Sequence, residues 1–289
     1  MAARRRGEGA AHAPGDRHGR EGPQGRGPAR RSRLRIDAGT RIAVVTGASS
    51  GIGAATAREL ARRGWRPVLV ARRRERLERL ADELACEYEV CDVSDRDDVE
   101  RAAGAILSRH ARIDVLVNNA GIPARGDFLS LGHERIEAVI RTNYLGGVWL
   151  VRALEAGLQP GAHVVNVVSV AGTVAFAPAG PYAASKHAQL AFSRSLAGLL
   201  GSRGVRVHTV LPGFVETEGF PQRTALRSRF FRRAVIQPEL VAERIVDAVE
   251  SGKRELFVPR WYRVFSLAQA LLPGLSARLV ARSGYKRPA

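Results

Sequence analysis

The sequence predicts a single doubly wound α/β domain, with a seven-stranded parallel sheet and helices on both faces. Two observations support this fold class. From residue 41 onward, short apolar runs rich in Val and Ile alternate with longer segments of helical periodicity. The apolar runs are also nearly continuous, as expected for parallel strands that are buried on both faces. No internal repeat suggests a solenoid or a duplicated domain.

The elements follow one another in β–α order. The predicted strands are 42–46, 67–71, 88–93, 113–117, 163–169, 205–210 and 255–258. The predicted helices lie near 52–63, 73–85, 95–110, 133–157, 183–202 and 239–251. The stretch 157–185 carries no charged residue, but Pro160, Pro178 and Pro181 exclude an uninterrupted membrane helix there. It fits a central strand followed by a loop.

The net charge of +18 arises mainly from the two ends of the 289-residue chain. Residues 1–36 contain ten Arg and three acidic residues, and residues 253–289 contain eight Lys or Arg and one Glu. Since the body of the chain is nearly balanced, nucleic acid is not the expected partner. The predicted organisation is a basic extension over 1–36, a folded domain over 37–259 and an amphipathic helical extension over 260–289.

The extension over 1–36 is rich in Arg, Gly, Pro and Ala and has no apolar periodicity. We expect it to be disordered, because it cannot bury enough apolar surface to offset its ordering entropy. It lacks the apolar run of a secretory signal. A transit peptide, a nucleic-acid arm and a dispensable extension all fit this composition, and the last is favoured.

The C-terminal segment 260–283 combines Trp261 and Tyr262 with a Leu-rich pattern and flanking Arg residues. Only residues 264–277 run without charge, and Pro273 interrupts them, so the segment is shorter than the roughly 20 residues that span a bilayer. An amphipathic helix here fits three settings: the surface of an anionic membrane, a partner subunit, or the mouth of a substrate pocket.

Two cysteines, Cys86 and Cys91, cannot form a disulfide framework. No cluster of Cys or His accompanies them, so no metal site is predicted. We expect both to act as small buried apolar residues, which fits a reducing cytosol. A cytoplasmic protein is therefore predicted, with peripheral membrane contact through 260–283 as an open alternative.

A glycine-rich turn, Thr46-Gly47-Ala48-Ser49-Ser50-Gly51-Ile52-Gly53, follows the first predicted strand and precedes a helical run. Glycines allow the backbone to turn sharply and approach a pyrophosphate, and a helix N-terminus presents unpaired N–H groups to it. The spacing is G-x-x-x-G-x-G rather than G-x-G-x-x-G. A strand, a glycine turn and a helix in this order predict a Rossmann-type nucleotide site.

The end of the second strand indicates which nucleotide binds. An Asp or Glu there would accept a hydrogen bond from the ribose 2′-OH. Here the sequence is Ala71-Arg72-Arg73-Arg74, with no acid before Glu75. Since arginines bind a 2′-phosphate through charge-assisted hydrogen bonds, NADP(H) is predicted over NAD, with Arg72 as the best single candidate.

Ser169, Tyr182 and Lys186 supply groups suited to hydride chemistry. Reduction of a carbonyl needs a proton donor as the hydride arrives, and a tyrosine can serve if its pKa is lowered. Tyr182 and Lys186 are four residues apart, on one helical face, where an ammonium can stabilise the phenolate. Each residue alone has an ordinary structural explanation. Their order after a glycine turn points to catalysis.

Taken together, these motifs resemble the short-chain dehydrogenase/reductase family. The matching residues are TGASSGIG at 46–53, Asp92-Val93, NNAG at 118–121, Asn143, Ser169, YAASK at 182–186 and Pro212-Gly213. The resemblance covers residues 40–258. Glu216 and Glu218 depart from it, because small or apolar residues are frequent beside Thr217 in the family.

The resemblance implies a role for each matching residue. Tyr182 would be the catalytic acid/base, Ser169 would orient the substrate, Lys186 would lower the tyrosine pKa and bind the nicotinamide ribose, and Asn143 would hold a relay water. The implied cofactor-binding residues are Gly47, Ser49, Ser50, Gly51, Ile52, Gly53, Arg72, Asp92, Val93, Asn119, Ala120, Gly121, Tyr182, Lys186, Pro212, Gly213, Val215 and Thr217.

The predicted function is an NADP(H)-dependent oxidoreductase that transfers hydride between nicotinamide and a small ketone or secondary alcohol. The Y-x-x-x-K spacing is that of the family's alcohol and carbonyl enzymes. The resemblance implies a homo-oligomer, and a lid over the substrate between Pro212 and Pro238. A catalytically silent, cofactor-sensing regulator or scaffold with the same fold is the alternative.

Overall fold

The computed structural model describes residues 39–175, 179–218, 235–275 and 278, all within the second of two units, 1–38 and 39–289. Seven parallel strands form one sheet of order β3-β2-β1-β4-β5-β6-β7. The strands are β1 (Ile42–Thr46), β2 (Arg66–Ala71), β3 (Glu87–Val90), β4 (Val115–Asn118), β5 (His163–Val167), β6 (Arg206–Pro212) and β7 (Glu255–Val258). The predicted fold class is confirmed. The predicted extension over 1–36 lies outside the described residues.

Eight α-helices are described. They are α1 (Gly51–Arg62), α2 (Arg74–Leu84), α3 (Arg96–Leu107), α4 (His133–Ile140), α5 (Gly146–Ala153), α6 (Gly180–Gly201), α7 (Pro238–Ser251) and α8 (Arg263–Leu271). The first seven agree with the predicted helical segments, except that one predicted helix is divided. Among the described residues, none of these helices is long and apolar enough to cross a membrane.

The core consists of two apolar layers, one on each face of the sheet. Successive strand residues point to opposite faces, so Ala43 and Val45 pack beneath α1, α2 and α7. Their neighbours Ile42 and Val44 pack beneath α3, α5 and α6. Because both faces are covered, the central strands are apolar at nearly every position.

Strand β1 lies between β2 and β4, and this position creates the cleft. The chain runs outward in one direction through β2 and β3, and in the other through β4 to β7. The connections after β1 and β4 therefore diverge at the carboxyl edge of the sheet. Ligands of doubly wound folds bind in the crevice outside such a switch point.

The predicted helix over 133–157 is divided by a π-helical turn, Arg141–Leu145. The cause is Asn143, whose side chain is buried and forms three hydrogen bonds outside its own helix. One extra residue in the turn lets this side chain reach the neighbouring backbone. Such π-bulges recur at functional sites.

Both cysteines flank β3 and are unpaired. Cys91 is buried and Cys86 half-buried, and desolvation raises the pKa of each thiol to about 12. Neither is a reactive thiolate near neutral pH.

Within the described ranges, no group of His, Cys, Asp and Glu is placed to hold a metal ion.

Candidate active site

Three positions of the turn after β1, Gly47, Gly51 and Gly53, suit only glycine. Gly47 has a φ of 67° and Gly51 a φ of 55°, values that side-chain-bearing residues rarely adopt. A Cβ at Gly53 would lie 2.3 Å from the carbonyl oxygen of Gly47. The turn therefore brings its backbone against the start of α1, where N–H groups point outward for an anion.

Asn119 and Thr46 join this turn to the end of β4. The Asn119 Nδ2 donates to the carbonyl oxygen of Thr46 at 2.9 Å. The Thr46 hydroxyl accepts from the backbone N–H groups of Asn119 and Ala120, each at 3.0 Å. A Cβ on Gly121 would lie 3.3 Å from the Asn143 Oδ1. The predicted cofactor residues of 46–53 and 119–121 thus form one continuous floor.

Arg73, rather than Arg72, contacts the glycine turn. Its guanidinium donates to the Ser49 hydroxyl at 2.9 Å and to the Ser50 hydroxyl at 2.6 Å. Arg72 is instead 3.5 Å from Asp92, and 58% of its side chain is exposed. The run of three arginines at 72–74 gives no indication in the sequence of which one contacts the glycine turn. The transition from β2 into α2 decides which one turns inward.

Glu218 completes an ion-pair cluster above the turn. It accepts from Arg73 at 2.9 Å and also from Arg76, and these bonds lower the pKa of its carboxyl group. The preceding Thr217 lies beside Gly51, 3.1 Å from where a Cβ would stand. The loop after β6 therefore reaches across the predicted nucleotide site. The residues of the predicted lid between 219 and 234 lie outside the described residues.

Asp92 and Val93 line the opposite side of the floor. Burial acts to raise the pKa of Asp92, but hydrogen bonds from Ser94 and the nearby Arg72 outweigh it, so the pKa is lowered. The Ser94 hydroxyl donates to its Oδ1 at 2.7 Å. Val93 is buried against the start of α5, where a Cβ on Gly146 would lie 2.6 Å from the Val93 carbonyl oxygen.

Ser169 and Tyr182 meet at the carboxyl end of β5. Ser169 follows that strand by two residues and caps a short 3₁₀ turn, with its Oγ accepting from the N–H of Ala171 at 3.1 Å. Burial raises the pKa of Tyr182, and a hydrogen bond with Ser169 offsets part of the increase. A hydroxyl and a phenol are thus held together in the cleft above the sheet.

Lys186 is buried one helical turn further along α6. Its Nζ lies 5.9 Å from the centroid of the Tyr182 ring. The ammonium donates to the carbonyl oxygen of Val167 at 3.1 Å and to the Gln189 Oε1 at 2.8 Å. Desolvation lowers the pKa of Lys186 to about 7. Protonation of this amine therefore changes near neutral pH.

Asn143 fixes the start of α6. Its Oδ1 accepts from the N–H of Ile122 at 2.7 Å, and its Nδ2 donates to the Ser185 hydroxyl at 3.0 Å. Ser185 in turn donates to the carbonyl oxygen of Tyr182 at 2.7 Å. The role of Asn143 in holding a relay water stays a prediction. Its hydrogen bonds indicate a second role, which is to orient α6, the helix that carries Tyr182.

The loop after β6 forms the remaining wall. The N–H of Gly213 donates to the carbonyl oxygen of Val258 at 2.9 Å. The ring of Tyr262 covers Gly213 so closely that a Cβ there would lie 2.4 Å from it. Val215 is buried and forms an isolated parallel bridge with Ile236. Pro212 ends β6, so this wall is anchored in the sheet.

The sequence over residues 41–226 matches the family model described as short chain dehydrogenase. The chain belongs to the short-chain dehydrogenase family. It is 36% identical over 222 residues to a Streptomyces coelicolor protein named as a ketoacyl reductase, a match that covers 73% of this chain and 84% of the relative. Because the chain belongs to the short-chain dehydrogenase family, it is an oxidoreductase.

Solved structures of family members are similar to this chain over most of its length. An actinorhodin polyketide ketoreductase variant with NADPH is 30% identical, with a TM-score of 0.68, and the match covers 76% of this chain and 95% of that one. A short chain dehydrogenase/reductase from Burkholderia phymatum in complex with NAD is 27% identical, with a TM-score of 0.72 and coverages of 82% and 95%.

Gln189 is a residue of this family member that the motifs do not contain. It is buried, and its Oε1 accepts a hydrogen bond from the Lys186 ammonium. Its signal in the sequence is a polar residue on the apolar face of a helix, three positions after the lysine. An acceptor beside a buried ammonium favours its charged form. Gln189 therefore helps to hold the Lys186 side chain in position.

We expect replacement of Gln189 to move the pH dependence of the chain's oxidoreductase activity. Gln189→Leu removes the acceptor and lowers the pKa of Lys186 further, so the activity that needs the ammonium is lost at a lower pH. Gln189→Glu adds a carboxylate and shifts the loss upward. A hydrogen bond to a charged group corresponds to a shift of about one pH unit. The measurement is kcat/KM against pH for the three proteins. A uniform loss with no shift in either variant would show a purely structural role.

Proposed function

We propose that this chain reduces a ketone to a secondary alcohol with NADPH, or catalyses the reverse reaction, with Tyr182 as the general acid/base. The observation that carries the proposal is the placement of the Tyr182 phenol beside Ser169, with the buried Lys186 Nζ 5.9 Å from the centroid of the Tyr182 ring. A proton donor, a second hydroxyl and a cation at the carboxyl edge of the sheet are the groups that carbonyl reduction requires.

The fit of a nicotinamide dinucleotide to the site rests on the glycine turn. The close backbone approach at Gly47 and Gly53 leaves no room for side chains, and the N-terminus of α1 suits a pyrophosphate. Gly47, Ser49 and Ile52 would line it, Asp92 and Val93 would flank the adenine, and the cofactor would supply the hydride when bound. The residues Pro212, Gly213, Val215 and Thr217 would bound the nicotinamide side.

Residues of this chain would then bind the substrate carbonyl and supply the proton. Ser169 would hold the carbonyl oxygen of the substrate by a hydrogen bond. As the hydride reaches the carbonyl carbon, the O–H bond of Tyr182 breaks and its proton forms the hydroxyl group of the alcohol. The resulting phenolate would be stabilised by the Lys186 ammonium and reprotonated from solvent. In the oxidative direction, Tyr182 would accept the proton.

NADP(H) is proposed over NAD because Arg72 and Arg73 stand where the second strand ends, with no acidic residue at that point. Charge-assisted hydrogen bonds from guanidinium groups favour a 2′-phosphate. The related ketoreductase structure holds NADPH, and the B. phymatum structure holds NAD. Related structures therefore hold either nucleotide. We assign the proposed preference of this chain for NADP(H) to Arg72 and Arg73.

A homo-oligomer in the reducing cytosol is proposed as the working form. The two free cysteines with raised pKa values suit a compartment in which thiols stay reduced. A small carbonyl or alcohol compound is the proposed substrate class.

Tyr182→Phe should remove turnover while leaving NADPH binding intact, because the ring stays and only the hydroxyl group that donates the proton is lost. General acid catalysis contributes roughly 10²–10⁴-fold, so kcat should fall by at least that factor. NADPH oxidation across a panel of carbonyl compounds measures activity, and NADPH fluorescence measures binding. Tyr88→Phe is the matched control, because it alters a phenol on the edge strand β3 whose hydroxyl donates a hydrogen bond to Glu78.

Activity retained in Tyr182→Phe would contradict the proposal. Binding without turnover in the unaltered chain would favour the silent regulator.

Arg73 and Glu218 should set the nucleotide preference in opposite directions. Arg73→Ala should weaken NADPH binding about tenfold or more and leave NADH binding nearly unchanged, since one charge-assisted contact is lost. Glu218→Gln removes a carboxylate that competes for the same guanidinium, so NADPH should bind several-fold more tightly. Arg74→Ala, whose side chain is exposed and lies 3.8 Å from Glu78, is the control. Equal losses for both nucleotides in Arg73→Ala would refute this assignment.

A further inference from the structure

Helix α8 faces the body of the protein with polar groups. Gln269 is half-buried, and its Oε1 accepts from the backbone N–H of Ala175 at 3.1 Å. Ser266, one turn earlier, is also half-buried, and Tyr262 before the helix is buried on Gly213. These three positions, spaced four and three residues apart, lie on one helical face. The contact with the domain therefore uses the polar side of an amphipathic helix.

The apolar side of the same helix points to solvent. Its members share large side chains that are at least 47% exposed. They are Val264, Phe265, Leu267 and Leu271 on the helix, with Leu272 and Leu275 after its end, and are here called the C-terminal apolar face. No residue of α8 itself is buried. Single exposed apolar residues are normal on soluble proteins, but a contiguous row of this kind marks a surface that another body covers.

The charge around this face indicates what covers it. From Leu256 to the end of the chain there are six Lys or Arg residues and no acidic residue. Arg260, Arg263 and Arg278 are exposed, and within the part of the chain that the structure describes none of them forms an ion pair. A second copy placed on this face would bring the same arginines against each other. An anionic surface would complement them.

We propose that the C-terminal apolar face docks on an anionic phospholipid bilayer. The apolar side chains would enter the boundary between headgroups and acyl chains, and Arg260 and Arg263 would lie among the phosphates. Helix α8 has nine residues, so it lies on the membrane rather than crossing it. Of the three settings that the sequence leaves open for 260–283, the outward apolar face favours this one over the pocket mouth.

The docking surface is joined to the proposed catalytic site by two contacts. Tyr262 packs on Gly213, in the wall of the site, and Gln269 binds Ala175, six residues after Ser169. The site therefore stands close to the proposed membrane surface. Docking depends on exposed residues that the proposed catalysis does not use, so either proposal can fail without the other.

Vesicle binding by the full-length chain tests the proposal. We expect co-sedimentation with vesicles of phosphatidylcholine mixed with phosphatidylglycerol, and little with phosphatidylcholine alone. The double variant Leu267→Ser with Leu271→Ser should lose binding about tenfold or more, since two exposed leucines would no longer be buried in lipid. Leu199→Ser alters a leucine that is 66% exposed on α6, away from the C-terminal apolar face, and should bind as the unaltered chain does.

The double variant Arg260→Gln with Arg263→Gln separates charge from apolar insertion. It should bind the mixed vesicles about 25-fold more weakly and leave the weak binding to phosphatidylcholine unchanged, since each of the two basic residues near an anionic surface contributes roughly fivefold. The basic residues 1–36 are the same in every variant, so differences report on the C-terminal segment. Thermal melting and NADPH binding confirm that each variant is folded.

The proposal is overturned if the unaltered chain does not bind the mixed vesicles, or if the leucine variant binds them equally well. Sedimentation velocity without lipid addresses the competing occupant. If the unaltered chain is a dimer that the leucine substitutions dissociate, a second copy covers the face and the membrane assignment is wrong. An unchanged oligomeric state together with lost vesicle binding supports it.

Discussion

The buried ammonium of Lys186 is the constraint on which the rest of the site depends. Only 4% of this residue is exposed, and a charge in such surroundings is costly unless hydrogen-bond acceptors compensate for it. The acceptors are the carbonyl oxygen of Val167, at the end of β5, and the side chain of Gln189. The bond to Val167 ties α6 to β5, an interior strand of the sheet. Because Tyr182 lies one turn before Lys186, the same tie sets the phenol beside Ser169, which follows the same strand.

A second constraint is the close approach of two backbone segments beneath the predicted nucleotide site. Thr46 and Asn119 exchange hydrogen bonds across the β1–β4 switch point, and the glycines leave room for little else. The electrostatics above this floor come from α2 and the loop after β6. Arg73 lies over Ser49 and Ser50, and Glu218 balances its charge. A phosphate group that enters here would meet a guanidinium already held in place by two hydroxyl groups and a carboxylate.

The sequence sufficed for the fold, because strands buried on both faces are apolar at almost every position and the helices keep their period. The order of Ser169, Tyr182 and Lys186 also pointed to their proximity. Other features depend on packing that no local pattern encodes. Which arginine of 72–74 turns inward follows from the backbone between β2 and α2. The π-helical turn at Asn143 follows from hydrogen bonds to Ile122 and Ser185, which are distant in the chain. The amphipathic pattern of α8 was visible, but its orientation, with polar residues inward, follows from contacts at Gly213 and Ala175.

The central claim is that Tyr182 is a phenol whose proton is governed by its surroundings in the cleft. The most direct test is the ultraviolet titration of tyrosinate in the unaltered chain, with the Tyr182→Phe spectrum subtracted, in the free protein and with NADP⁺ bound. In the free protein, burial should place the midpoint above the ordinary tyrosine pKa of about 10. With the cationic nicotinamide bound beside the phenol, the midpoint should fall by at least about two pH units. A midpoint that is the same in both forms would contradict the account.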